Sequence, residues 1–244
     1  MSQAIIQIDQ LSKRYKEASE YSLKDVSFTI NAGDKFGVFG PNGAGKTTLI
    51  SIICKLFSQT SGEVRYFPAN GHDLSIGFVP QDLALYEELT AQQNMEYFGA
   101  LYKLSKAEVI NRTEELLAIL GLSKVAQKKV KTFSGGMKRR LNLAIGIIHN
   151  PEILFLDEPT VGVDIQSKNA IMAFLEELNE TGTTIVYTSH HMEEAEDFCD
   201  TIAIMDYGKV IANDTLKNLY ESYNVSGLME IMILLTGKEY RDGV

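Results

Sequence analysis

The sequence predicts an α/β fold: a core with a parallel sheet, an antiparallel β-element near the N-terminus, and a helical subdomain inserted into the core. Three observations predict it. Apolar and polar residues alternate through AIIQIDQLSKRY and SLKDVSFTI, compact apolar runs recur at DKFGVFG, EILFLDEP and TTIVYTSHH, and a long stretch between the first two of these runs takes on the helical period.

Taken in order, the alternation predicts an antiparallel β-element over about 4–32. DKFGVFG then reads as a buried strand ending at a glycine-rich turn. In the following TTLISIICKLF, Leu49, Ile52, Ile53 and Leu56 recur at i, i+3, i+4 and i+7, one face of a helix, so the turn lies between a strand and a helix N-terminus. From about 82 to 150 the pattern is helical, with Val109, Thr113, Leu116, Leu117 and Leu120 on one stripe and Gly121 as its C-terminal cap. EILFLDEP and TTIVYTSHH read as buried strands around a helix whose apolar face holds Ile171, Phe174, Leu175 and Leu178, an order that predicts a right-handed parallel unit. TIAIMDYGKVIA predicts a hairpin turning at Tyr207 and Gly208, followed by a short helical tail. The expected organisation is one domain over 1–244: an α/β core from 1–81 and 151–220, a helical subdomain over 82–150, and a tail over 221–244.

Composition narrows the function classes. The 244 residues are 45% apolar and 23% charged, enough for a sizeable core. A net charge of -9 argues against nucleic acid as the main partner, because phosphate-backbone binding calls for a basic excess. The basic cluster Lys124, Lys128, Lys129, Lys131, Lys138, Arg139 and Arg140 lacks interleaved aromatics and reads as a solvated helix face. Cys54 and Cys199 stand far apart in apolar stretches, which predicts buried free thiols in a reducing cytoplasm, without a disulfide framework or a metal cluster. No charged start followed by an apolar run opens the chain, so no secretory signal is expected, and the longest apolar run, Ile231 to Leu235, is far short of the ~20 residues that cross a bilayer.

The sharpest chemical signal is Gly40-Pro41-Asn42-Gly43-Ala44-Gly45-Lys46-Thr47, a full phosphate-binding loop pattern between strand and helix. Glycines let successive backbone N–H groups converge on phosphate oxygens, and the helix dipole favours the same anion. Lys46 would bring a point charge to the β and γ phosphates and Thr47 a hydroxyl to Mg²⁺. Thr48 joins the nucleotide-contacting residues. The matching half is Ile153-Leu154-Phe155-Leu156-Asp157-Glu158, an apolar run that delivers two carboxylates to the end of a strand. Asp157 is the expected metal ligand; Glu158 is placed to polarise an attacking water.

Phe133-Ser134-Gly135-Gly136-Met137-Lys138-Arg139-Arg140, upstream of the acidic strand, resembles the signature motif of ATP-binding cassette proteins. The resemblance covers the chain from about Ile5 to Arg241. It includes Gln81 in GFVPQD, the turn Pro159-Thr160-Val161-Gly162-Val163-Asp164, and a histidine at His190. By itself Gln81 reads as a solvated loop residue; the resemblance implies a contact to the metal and the attacking water. It selects His190 over His191 as a contact of the γ-phosphate, and gives Tyr15, otherwise an exposed tyrosine, to stacking on adenine. Ser134, Gly135 and Gly136 would bind the γ-phosphate. The commonest signature has glutamine where Met137 stands, and the form Met-Lys-Arg-Arg, with the tail LLTGKEYRD, resembles drug-exporter-like ATPases that serve separately encoded membrane subunits.

The resemblance thus implies an ATPase using ATP and Mg²⁺, with catalytic roles for Glu158, His190, Gln81 and Lys46. It would pair with a second ATPase subunit, as a homodimer, and with a transmembrane permease subunit on the cytoplasmic face of the membrane. The segment from Asp82 to Tyr102, with Leu85, Tyr86 and Phe98, is expected to receive a helix of that permease; the same three residues also fit a core role. Rival readings are a soluble cassette ATPase in a non-transport role and an ATP-responsive module without turnover. The first generally carries two cassettes or a coiled-coil insertion, and the second need not keep Lys46, Asp157, Glu158 and His190 together.

Overall fold

The computed structural model describes residues 3–68 and 71–237. In chain order its elements are β1 (Ala4–Lys13), β2 (Leu23–Asn31), β3 (Lys35–Phe39), α1 (Lys46–Ile53), β4 (Ser61–Tyr66) and β5 (Ile76–Val79). Then come α2 (Ala91–Leu101), α3 (Lys106–Ile119), α4 (Gly135–Gly146), β6 (Ile153–Asp157), α5 (Ile165–Glu180) and β7 (Thr184–Ser189). The chain continues with α6 (Met192–Phe198), β8 (Thr201–Asp206), β9 (Lys209–Thr215), α7 (Leu216–Tyr223) and α8 (Leu228–Thr236). They fall into two compact units, Met1–Leu74 with Thr184–Val244, and Ser75–Thr183. Positions 238–242 of the tail motif LLTGKEYRD, and the end of the tail as far as 244, lie outside the described residues.

In the first unit, β1 pairs antiparallel with β2 and β4 in a three-stranded sheet ordered β2-β1-β4, the expected N-terminal β-element. Ile6 and Ile8 are buried two residues apart, with Ile5 buried beside them; a bulge at Gln10, whose φ is 47°, then resets the register so that Leu11 is also buried. Phe28 of β2 stacks on Phe36 of β3 with ring centroids 5.2 Å apart. β3 runs parallel to both β7 and β8, and β8 turns back antiparallel into β9. Tyr207 and Gly208, with φ of 46° and 72°, make that tight turn, as predicted.

α1 is shorter than its apolar stripe suggests. Lys55 has φ of 61° and the Leu56 N–H bonds Ser51 O at 2.8 Å, so the helix closes and Leu56 is 57% exposed, off the stripe. Leu49, Ile50, Ile52 and Ile53 supply its buried face. Neither cysteine is in a disulfide; Cys199 is buried, as expected, whereas Cys54, at the end of α1, is only half-buried.

In the second unit, β5 and β6 pair in parallel, with Ile76 opposite Ile153 and Val79 opposite Leu156. α2 and α3 each open with a reciprocal capping box, Thr90 with Gln93 and Ser105 with Glu108. The stripe Val109, Thr113, Leu116, Leu117 and Leu120 is buried. Gly121 follows the last turn of α3, with Gly121 N–H on Ala118 O and Leu122 N–H on Leu117 O. In α5, Ile171, Phe174 and Leu175 are buried and Leu178 is half-buried. Among the described residues, no helix is long and apolar enough to cross a membrane.

The basic cluster is not simply a solvated face. Lys131 and Lys129 pair with Glu88 at 3.0 and 3.3 Å, Lys138 pairs with Glu87 at 2.5 Å, and Arg140 donates to Leu120 O at 2.8 Å. Opposite charges and open carbonyls recruit these cations, and the sequence pattern shows the cations without their partners.

Candidate active site

The glycine loop leaves the carboxyl end of β3 and enters α1 through Gly45 as N-cap. Gly40 is dictated by packing: a Cβ there would lie 2.2 Å from Met205 O of the neighbouring β8, on a backbone with φ of 155°. Inside the loop, Ala44 N–H bonds Pro41 O at 3.1 Å, and Gly208 N–H of the β8–β9 turn bonds Ala44 O at 3.0 Å. Lys46, 5% exposed, donates to Gly40 O at 2.7 Å and Pro41 O at 3.2 Å. Its ammonium is thus held inside the cradle that its own loop forms, while Asn42, Gly43 and Thr47 are exposed and Thr48 is half-buried.

The Tyr15 hydroxyl lies 3.4 Å from Thr48 Oγ1, which brings Tyr15 to the first turn of α1. Its ring is 40% exposed, meets Phe57 edge-to-face at 6.3 Å, and has Lys13 Nζ 5.2 Å from its centroid. His190 follows β7 directly; because Phe39 pairs with Ser189, Gly40 and His190 leave neighbouring parallel strands at the same edge. The His190 and His191 ring centroids are 4.1 Å apart. His190 is half-buried and His191 exposed.

The second unit repeats this logic. Val79 pairs with Leu156, so Gln81 and the pair Asp157-Glu158 emerge at the same carboxyl edge of β5 and β6. Asp157 and Glu158 are buried, Gln81 is exposed, and Glu158 has φ of 51°, an unusual conformation for a glutamate and a local strain in its backbone. Arg139 of α4 donates to Gln81 O. Burial pushes the Arg139 guanidinium below its usual value, against the pull of the Asp82 and Glu158 charges.

Ser134 is the N-cap of α4, accepting from Met137 N–H at 3.3 Å, and both it and Gly135 are exposed. Gly136 is dictated by α5: a Cβ would lie 2.2 Å from Ser167 Oγ and 3.0 Å from Asp164 Oδ2. Asp164 in turn caps α5, its Oδ1 accepting from Ser167 N–H and its Oδ2 from Ser167 Oγ, each at 2.9 Å. These bonds hold the Asp164 carboxyl below its usual range, the Ser167 backbone bond being the largest cause.

Phe57 and Asn142, beside these residues, escaped the sequence reading, and Arg139 was read there only as part of the basic cluster and the signature-like motif. Phe57 packs on Tyr15, and Arg139 and Asn142 hold the segment around Gln81. The one signal for Asn142 was a polar residue inside the apolar run LNLAIG.

A model of the ABC transporter family matches residues 23–161. The linearmycin resistance ATP-binding protein LnrL of Bacillus subtilis (strain 168) is 43% identical over 88% of this chain and 70% of its own length. A solved ATP-binding subunit of an ABC transporter superposes with a TM-score of 0.85 at 28% identity, over 95% of this chain and 99% of that one. The ATP-binding cassette MJ0796, solved as a dimer in a post-hydrolysis state with ADP and Pi, gives 0.77 at 31% identity, over 87% and 99%. The glycine loop, the carboxylates and these likenesses agree: the chain belongs to the ABC transporter family, as an ATP-binding and ATP-hydrolysing subunit.

Proposed function

We propose that this subunit drives export through a separate membrane-spanning permease, and that its nucleotide is bound and cleaved by the residues the sequence singled out. The observation that carries the reading is Lys46, buried within the glycine loop at the N-terminus of α1, where an ammonium beside a helix N-terminus suits a polyphosphate. Phosphate oxygens replace Gly40 O and Pro41 O as partners of Lys46. Tyr15 stacks on adenine at the first turn of α1. Thr47, Gln81 and Asp157 are oxygen donors of the hard type that Mg²⁺ takes, so the residues present fit that ion. When bound, Mg²⁺ neutralises charge on the β and γ phosphates.

Glu158 accepts a proton from the water that attacks the γ-phosphorus, and the bond to the ADP oxygen breaks as ADP and inorganic phosphate form. His190 hydrogen-bonds the γ-phosphate. Ser134, with the N–H groups of Gly135 and Gly136, binds the γ-phosphate held by a second copy of the chain, so that ATP binding and dimer closure are one event. Resistance, the role printed for LnrL, supports export over import. For the permease, the aromatic surface of Tyr86, 47% exposed, with Tyr97 and Phe98 offers a docking face at the cytoplasmic side of the membrane.

The test is Glu158→Gln. An amide cannot take the water's proton, so turnover falls by about 10²–10⁴-fold while ATP binding persists. Steady-state hydrolysis and equilibrium nucleotide binding on the same preparation decide it; near-normal hydrolysis by the variant contradicts the assignment.

A further inference from the structure

α4 carries the Ser-Gly-Gly motif at its start and an unexpected polar side chain two turns later. Asn142 sits among the buried Leu141, Leu143, Ala144 and Ile145 and is itself 2% exposed. A carboxamide in such a place must find partners, and these two both lie around Gln81. Asn142 Nδ2 donates to Pro80 O at 3.3 Å, and Asn142 Oδ1 accepts from Ala84 N–H at 3.2 Å. Three residues earlier, on the same side of α4, Arg139 donates to Gln81 O. The main chain before, at and after Gln81 is therefore held from one helix.

We infer that Asn142 and Arg139 are positioning residues for Gln81: they fix its main chain, and so tie the place of its side chain to the helix that begins at Ser134. The inference rests on the reading of Gln81 as a contact of the metal and the attacking water. Neither residue touches the nucleotide in this account; both act through Gln81. A shift of Ser134 as it meets the γ-phosphate moves α4 as one helix, and the clamp carries that shift to the Pro80–Ala84 segment. Lys138, paired with Glu87, extends the same attachment further along the segment.

The experiment is a double-mutant cycle on the full chain with Asn142→Ala, Gln81→Ala and the double variant, read as kcat and KM for Mg-ATP. Asn142→Ala lowers kcat by about tenfold to a hundredfold through misplacement of Gln81, with KM for ATP held within about twofold. In the Gln81→Ala background the second substitution costs nothing more, because its route to the chemistry is already gone. Effects that multiply, or a wild-type kcat in Asn142→Ala, overturn the inference. Amide hydrogen exchange at Ala84 supplies the independent readout: it accelerates in Asn142→Ala, and unchanged exchange also overturns the clamp. If Gln81→Ala itself keeps the wild-type kcat, the role given to Gln81 falls, and the positioning role with it. Accelerated exchange at Ala84 alongside that result places the failure in Gln81's role, not in the contacts. Should Asn142→Ala not fold, Arg139→Met, which keeps the aliphatic stem and removes the donors, carries the same expectations for kcat, KM and the cycle, with the exchange read across the Pro80–Ala84 segment.

Discussion

Tyr15, proposed to stack on adenine, is where recognition of the base can be tested apart from chemistry. Its hydroxyl reaches Thr48 and its ring is propped by Phe57, so either the ring face or the hydroxyl could govern ATP affinity. Stacking on a base is worth ~1–3 kcal/mol, which predicts that Tyr15→Ala raises KM for ATP about tenfold or more and leaves kcat nearly unchanged. Tyr15→Phe keeps the ring and should stay near wild type. Steady-state kinetics on both variants check this, and a phenylalanine variant as weak as the alanine one would assign the effect to the hydroxyl instead. At this scale the loop from Gly40 to Thr47 and the pair Asp157-Glu158 were legible because contiguous residues set their chemistry. Asn142 was not: its partners are 58 and 62 residues away in the chain, and no local period announces them.

Elements carry function and stability on the same atoms. Ser134 Oγ caps α4 and is also the proposed γ-phosphate ligand, so its replacement mixes two effects. An N-cap serine replaced by alanine costs ~1 kcal/mol, and by glycine only a few tenths. Ser134→Ala and Ser134→Gly should therefore lose ATP-dependent dimerisation alike, while thermal melting drops further for alanine; a glycine variant that dimerises normally with ATP would remove the hydroxyl from the nucleotide. The caps and pairs of the second unit also predict its acid sensitivity. Glu88 is held below its ordinary value by Lys131 and Lys129, Glu108 by Ser105, and Asp164 by Ser167. Carboxyls depressed in the folded state stabilise it fully above their unfolded values, and that contribution is lost as pH falls through their folded values. Melting temperature should decline across the carboxylate range, and Asp164→Asn should flatten part of that slope; an identical slope in the variant would contradict the linkage. Strand alternation and the α3 stripe were readable because burial follows the period of each element. The end of α1 was not, since Lys55 and the Schellman turn stop the helix while the apolar spacing runs on to Leu56.

At the scale of the whole molecule, Lys46 belongs to one compact unit and Ser134 to the other, and the account gives each bound ATP a Lys46 from one chain and a Ser134 from its partner. The fold class was visible from the order of runs and turns, whereas the grouping of Ser75–Thr183 as one compact unit, with β5, β6 and α5 alongside the helices, depends on long-range packing that periodicity does not encode. The central claim is the shared site, and complementation tests it most directly. Lys46→Ala and Ser134→Arg should each be inactive alone. In a mixed dimer with shared sites, both defects fall in one site and the other site keeps an intact Lys46 and an intact Ser134. Mixing the two variants with Mg-ATP should restore nucleotide occlusion and part of the hydrolysis. If each chain held a complete site of its own, every site in the mixture would carry a defect, so the absence of both signals despite demonstrated subunit exchange would contradict the account.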